Sequence, residues 1–298
     1  MVNNGFGNIL TAMVTPFRAD GSVDFEEAEK LAIHLVENGS DGLVVCGTTG
    51  ESPTLTWEEE VELFKVIKQA LKVYPNKIII AGTGSNCTSE AIAATQQAVE
   101  LGLDGSLQVV PYYNKPPQDG LYEHFKAIAQ ACPSMAIMLY NVPGRTSCRL
   151  EQPTVSKLAE ISNITCIKEA SGDLELTAQI RNHTPDDFAI YSGDDFLTLP
   201  MMTVGGKGVV SVASHIVGNP MQQMIDAFFA GDYQTAIKIQ LQLTPLFKSL
   251  FCVTNPIPVK TALALQGWQT STLRSPLISG SEELQKHLKT VMNSLNLL

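Results

Sequence analysis

Lys77-Ile78-Ile79-Ile80-Ala81, followed by the helical period of Ser89 to Leu101 and then by Ser106-Leu107-Gln108-Val109-Val110, reads as strand, helix, strand. Two strands joined through a helix pair in parallel by a right-handed crossover. Working outward, the same step recurs. β-rich runs stand at Ile9 to Val14, Gly42 to Cys46, Ala136 to Tyr140, Ile164 to Lys168, Phe188 to Ser192 and Gly208 to Val212, which makes eight. Helical stretches lie between them, among others Phe25 to Asn38, Trp57 to Lys72 and Tyr122 to Ala131. Thr56, Thr88 and Asp119-Gly120 are placed to cap three of these helices. Eight strand-helix steps in 298 residues predict an α/β protein with a closed (β/α)8 barrel, a TIM barrel; an open doubly wound sheet is the other arrangement of such units.

After the eighth run the pattern is helical only: Pro220 to Ala230, Tyr233 to Phe251, Val259 to Gln266 and Glu282 to Leu297, broken at Gly231, Asn255-Pro256 and Gly280. We therefore divide the chain into a barrel over residues 1–222 and a helical extension over 223–298. The extension shows no titratable cluster, so its expected part is structural support or a subunit contact.

At 44% hydrophobic the chain can bury a large core, and 20 basic against 30 acidic side chains, net −10, argue against a nucleic-acid partner and an anionic membrane surface. Six cysteines, at 46, 87, 132, 148, 166 and 252, stand singly with no CxxC pair, which suggests neither a zinc cage nor a disulfide framework and fits a reducing, cytoplasmic location. Met1 to Phe6 lacks the basic and apolar blocks of an export signal, and no apolar run reaches the ~20 residues that span a bilayer. The histidines at 34, 124, 183, 215 and 287 form no HxH or HExxH spacing, so no metal is expected. Gly47-Thr48-Thr49-Gly50 lacks the lysine of a P-loop, and Gly82-Thr83-Gly84-Ser85-Asn86-Cys87 lacks the third glycine of a dinucleotide fingerprint. Gly205-Gly206-Lys207-Gly208 precedes the eighth strand, on the rim opposite to the expected site, and is assigned to turn chemistry.

In such a barrel the chemistry sits on the loops leaving the carboxyl ends of the strands. Strand two runs into Gly47-Thr48-Thr49-Gly50-Glu51, strand four into Pro111-Tyr112-Tyr113-Asn114, strand five into Tyr140-Asn141-Val142-Pro143-Gly144-Arg145-Thr146, and strand seven into Gly193-Asp194-Asp195, while strand six ends at Lys168. Lys168 closes the apolar run Ile164-Thr165-Cys166-Ile167. Either its stem lies along apolar surface with the ammonium in water, or burial depresses its pKa, by as much as ~3 to 5 units, and leaves an amine that forms a Schiff base. The company of hydroxyls and an arginine on one rim favours the second. The two threonines and glycines suit a small anion, tyrosine hydroxyls suit proton transfer at a carbinolamine, and Arg145 suits a substrate carboxylate.

These segments, with Ile167-Lys168-Glu169-Ala170, Ser192-Gly193-Asp194-Asp195 and Asn255-Pro256-Ile257-Pro258-Val259-Lys260, resemble the dihydrodipicolinate synthases (4-hydroxy-tetrahydrodipicolinate synthases) in order along almost the whole chain. The resemblance implies a lyase of lysine and diaminopimelate biosynthesis that condenses pyruvate with aspartate semialdehyde. Lys168 would form the imine with pyruvate, and Tyr140 would exchange protons through Thr48 with Tyr113, lent by the neighbouring subunit. Thr49, the backbone at Val210 and Gly193 would hold substrate, and Arg145 would meet the semialdehyde carboxylate. No metal or organic cofactor is implied, and the usual assembly is a homotetramer built as a dimer of dimers. N-acetylneuraminate lyases and keto-sugar-acid aldolases resemble the chain in the lysine and tyrosine but usually lack the arginine of Gly144-Arg145-Thr146. A catalytically silent barrel that binds a small acid is the reading from another class. In lysine-inhibited relatives an effector cleft uses positions matching Ser52, Pro53, Trp57, Glu60, Asn86, Glu90 and Tyr112. Trp57 and Glu60 stand where some strongly inhibited relatives have histidines, and an acid at 60 would oppose the effector's carboxylate, so weak or absent feedback by lysine is expected.

Overall fold

The computed structural model describes residues 6–298, and the reading of the first residues as free of an export signal falls largely outside them. Eight strands, β1 (Ile9–Ala12), β2 (Gly42–Val45), β3 (Ile78–Gly82), β4 (Gly105–Val109), β5 (Ala136–Asn141), β6 (Ile164–Glu169), β7 (Ala189–Ser192) and β8 (Gly208–Ser211), follow one another round a closed barrel in chain order. The open doubly wound sheet is thereby excluded. Pairing is parallel in every register observed, and strand residues are buried almost throughout, as expected of a parallel sheet covered on both faces.

The helices are α1 (Phe25–Glu37), α2 (Trp57–Ala70), α3 (Thr88–Glu100), α4 (Gln118–Ala131), α5 (Pro143–Thr146), α6 (Gln152–Ala159), α7 (Leu174–Asn182), α8 (Thr198–Thr203), α9 (Ser214–Phe229), α10 (Tyr233–Ser249), α11 (Ile257–Leu265) and α12 (Glu282–Ser294). The chain divides into two compact units, one of Ile78–Val210 and one of Asn8–Lys77 with Ser211–Leu298. In the first, Phe125, Leu139, Ile167, Ile190 and Met201 belong to one apolar core between strands and helices. In the second, α9 packs on α10 and on β1, and α11 on α12.

Several helix starts differ from expectation. Thr56 does cap α2, in a capping box with Glu59, but Thr88 is already helical and Cys87 precedes it; the Thr88 hydroxyl is bonded to His124 Nδ1 at 2.9 Å instead. Helix α4 begins at Gln118, ahead of Asp119-Gly120, because extended Pro117 turns the chain there, and Asp119 sits in the first turn where its charge suits the helix dipole. Helix α9 starts before Pro220, with a kink at Val217 (φ −132°, ψ 35°). No helix among the described residues is long and apolar enough to cross a membrane.

Candidate active site

In the first unit, Tyr140 of β5 and Lys168 of β6 are register partners, and Lys168 is paired in turn with Tyr191 of β7. Side chains alternate along a strand, so paired positions share a face. Lys168 is 6% and Tyr140 5% exposed, and Lys168 Nζ lies 4.2 Å from the centre of the Tyr140 ring. Almost none of the Lys168 surface meets solvent, the surroundings that the Schiff-base reading requires. Gly193, just past β7, leaves the room: a Cβ there would stand 3.1 Å from Lys168 Cε and 2.5 Å from Ala170 Cβ. Val210 is buried in β8.

Arg145 sits on the short turn α5 and is exposed. Its loop is tied internally by the Thr146 hydroxyl, which donates to the Val142 and Cys148 carbonyls. At its base Asn141 grips Leu150, Oδ1 accepting from the backbone N–H at 3.0 Å, and donates from Nδ2 to Glu169 Oε2 at 2.8 Å. Tyr113 is placed differently. It is 90% exposed at φ +73°, in a turn where Asn86 Nδ2 donates to the Tyr112 carbonyl and Asn114 Nδ2 to the Asn86 carbonyl. Asn86, Glu90 and Tyr112 lie in that same region, with Ser85 donating to Glu90 at 2.8 Å.

In the second unit, Thr48 and Thr49 follow β2 in the turn Gly47 to Glu51. Gly50 comes close to Met13, where a Cβ would be 3.1 Å from the carbonyl oxygen, and its own carbonyl accepts from the Thr15 hydroxyl at 2.7 Å. Asn255 Nδ2 donates to Thr49 Oγ1 at 2.9 Å. Glu51, in the left-handed region at φ +58°, turns its carboxylate to Lys260 Nζ at 2.7 Å, and that ammonium also donates to the Thr15 carbonyl at 2.8 Å. Both partners are essentially unexposed, at 0% and 1%, and burial pulls Lys260 down to about 8 against the pull of Glu51. Arg274 N–H donates to the other Glu51 oxygen at 3.1 Å, while its guanidinium forks onto Glu59 at 2.6 and 2.5 Å. The expectation that the extension holds no titratable cluster is therefore corrected. Its charges were visible in the sequence, but their acidic partners lie more than 200 residues away.

Of the remaining positions, Ser52 and Pro53 lie on the stretch between this turn and α2, and Trp57, 43% exposed, is the first residue of α2. Burial pushes the Glu60 carboxyl up to about 8. At neutral pH it is mostly uncharged, which removes the ground for expecting it to repel a carboxylate. Among the described residues no group of three or more His, Cys, Asp or Glu is arranged to hold a metal ion. Sequence reasoning gave no part to Asn141, Glu169, Asn255 or Lys260, although each stands within a quoted motif.

Residues 5–295 match the model of the dihydrodipicolinate synthetase family. The chain belongs to that family. It is 62% identical over 293 residues to the 4-hydroxy-tetrahydrodipicolinate synthase of Microcystis aeruginosa, covering 98% of each chain. Among solved structures, the family member from Cyanidioschyzon merolae with lysine bound superposes with a TM-score of 0.97 at 52% identity, over 98% of this chain and 99% of that one. The member from Acinetobacter baumannii complexed with pyruvate gives 0.95 at 39% identity, over 99% and 100%.

Proposed function

We propose that this chain condenses pyruvate with L-aspartate 4-semialdehyde through a Schiff base on Lys168, giving 4-hydroxy-tetrahydrodipicolinate for lysine and diaminopimelate synthesis. The observation that carries the reading is the buried Lys168 amine set against Tyr140, in a family whose relatives bear that enzyme's name. Relatives at 58% identity and above carry it alike, which favours the synthase over a neuraminate lyase or a silent binder.

The Lys168 amine, uncharged when it attacks, adds to the keto carbon of pyruvate, and Tyr140 supplies the proton with which the carbinolamine loses water. The iminium is the electron sink, so loss of a methyl proton yields an enamine without a metal or organic cofactor. The enamine carbon bonds to the aldehyde carbon of the semialdehyde, whose oxygen takes up a proton. The substrate amine then attacks the imine carbon and releases Lys168, closing the ring. Thr49, the Val210 backbone and Gly193 hold the keto acid, and Arg145 receives the semialdehyde carboxylate as a two-pronged donor. Thr48 links Tyr140 to a Tyr113 of a second copy; its outward setting supports that assignment, within a cytoplasmic homotetramer built as a dimer of dimers. Residues 1–222 form the catalytic part and 223–298 support it. Ser52, Pro53, Trp57, Glu60, Asn86, Glu90 and Tyr112 are the positions for a lysine effector, a reading supported by the lysine-bound relative.

The test is assay with both substrates, against N-acetylneuraminate, for the wild type and Lys168→Arg, with borohydride reduction in the presence of pyruvate. We expect synthase activity and a stable adduct on Lys168 in the wild type alone. Undiminished turnover by Lys168→Arg rules out the imine, because a guanidinium cannot form it.

A further inference from the structure

Behind the reacting pair lies a second pair. Strand pleating turns Asn141 and Glu169, the residues next in line after Tyr140 and Lys168, to the opposite face of β5 and β6, and they too are register partners. Asn141 is 0% and Glu169 2% exposed. Asn141 uses both amide hydrogens and its amide oxygen there. One amide hydrogen goes to Glu169 Oε2 at 2.8 Å and the other to the Leu150 carbonyl at 3.3 Å, while the amide oxygen accepts the Leu150 N–H at 3.0 Å. Glu169 Oε1 in turn accepts the Ser171 N–H at 2.6 Å, so neither carboxyl oxygen is left bare. Burial raises the pKa of this carboxyl while the Ser171 and Asn141 donors draw it back.

The consequence is a pinched loop. Residues 142–149 leave Asn141 through the peptide bond and return to it through both hydrogen bonds at Leu150, and Arg145 is carried on the turn between. The anchor of that clasp, Glu169, is covalently next to Lys168. A single carboxamide thus sets the loop base against the strand that bears the amine. Burying a carboxyl is costly and apolar residues of similar volume often hold buried elements together as well, so the pair is weak evidence of a purely cohesive role.

We propose that Asn141, anchored by Glu169, is a positioning residue for Arg145, and that it governs capture of the second, carboxylate-bearing substrate while leaving imine formation to Lys168. This rests on the roles given above to Lys168 and Arg145. Asp and Ala are both poor replacements: Asp faces a carboxylate with another, and Ala strands Leu150 N–H and Glu169.

The experiment is steady-state kinetics on full-length Asn141→Ala, Arg145→Ala and the double variant, together with the rate of borohydride trapping with pyruvate alone. Asn141→Ala is expected to raise KM for the semialdehyde about tenfold or more, with pyruvate KM and trapping rate within about twofold of wild type. In the Arg145→Ala background the same change is expected to add less than about twofold, since the guanidinium it positions is gone. Glu169→Gln, which keeps one acceptor oxygen, is expected to fall between, and the same cycle run with it decides the question if Asn141→Ala does not fold. Equal effects on both substrates, an unchanged semialdehyde KM, or a full added effect in the Arg145→Ala background each overturn the proposal. Failure of the underlying reading is a separate result: a wild type that yields no adduct on Lys168.

Discussion

Lys168 Nζ stands 4.2 Å over the Tyr140 ring, on adjacent strands and in register, with both side chains nearly excluded from solvent. The two groups are held by paired backbone rather than by loops, so their spacing is a property of the sheet. Removing only the phenol oxygen therefore tests the proton-transfer role with little disturbance of packing. Tyr140→Phe is expected to lower kcat about 10²- to 10⁴-fold, the usual contribution of a general acid-base group, with little change in Tm. Stopped-flow kinetics and a melting curve check both halves.

Gly193 leaves a gap that Lys168 fills. Since a methyl group there meets Lys168 Cε at 3.1 Å and Ala170 Cβ at 2.5 Å, Gly193→Ala must displace the amine or the backbone. A displacement of about 1 Å at a reacting atom costs on the order of 100-fold, so borohydride trapping with pyruvate is expected to slow by about that factor. Trapping at the wild-type rate would show that the alanine is accommodated elsewhere.

Tyr113, 90% exposed and fixed by its turn, is suited to serve another copy. Lys168→Arg and Tyr113→Phe are each expected to be nearly inactive alone. Unfolded together and refolded as mixed dimers, they are expected to regain about a quarter of wild-type activity, because half the dimers are mixed and each of these has one intact site. If Tyr113 served its own chain, mixing would restore nothing.

The ion pair of Lys260 with Glu51 is wholly buried. Breaking one side leaves an uncompensated charge, at a cost of about 3 to 5 kcal/mol, so Lys260→Met is expected to lower Tm by about 10 °C. Glu51→Gln with Lys260→Met removes both charges and is expected to recover part of that loss. Calorimetry of the two variants decides it: a double variant worse than the single one would mean the pair contributes through geometry and not charge balance.

Glu60 has its pKa raised to about 8 by burial. A carboxyl raised in the folded state stabilises fully below its unfolded pKa near 4.5, and the contribution fades as pH climbs through the folded value. Glu60→Gln is therefore expected to match the wild type in Tm near pH 4 and to exceed it by several degrees at pH 9. If lysine binds at this cleft, its inhibition is expected to weaken above pH 8 in the wild type only. A parallel pair of melting and inhibition series across pH reads out both, and a pH-independent Tm difference contradicts the assigned titration.

The strand-helix alternation was legible along the chain because apolar periods of two and 3.6 are local properties, and the eight strands lie within two residues of their expected bounds. The same topology puts Thr48, Tyr140, Lys168 and Gly193 at or just past the carboxyl ends of strands from the sequence alone. Helix starts were less legible. Thr88 and Asp119 have capping chemistry, but a neighbouring His124 and a preceding Pro117 took precedence, and neither competition is visible in a short window of sequence.

What the sequence by itself determined, then, is the order of the elements and the chemistry available at their ends. Only the tertiary structure decided which of those groups are deprived of water and what answers them. Lys168 and Lys260 both end up buried, yet one faces an aromatic ring on the next strand and the other a carboxylate 209 residues away. Asn255 reaches Thr49 across 206 residues, and Asn141 closes a loop only because β5 and β6 pair in one register. Burial and partnership depend on distances between segments that are remote along the chain, and those distances come into being when the chain folds.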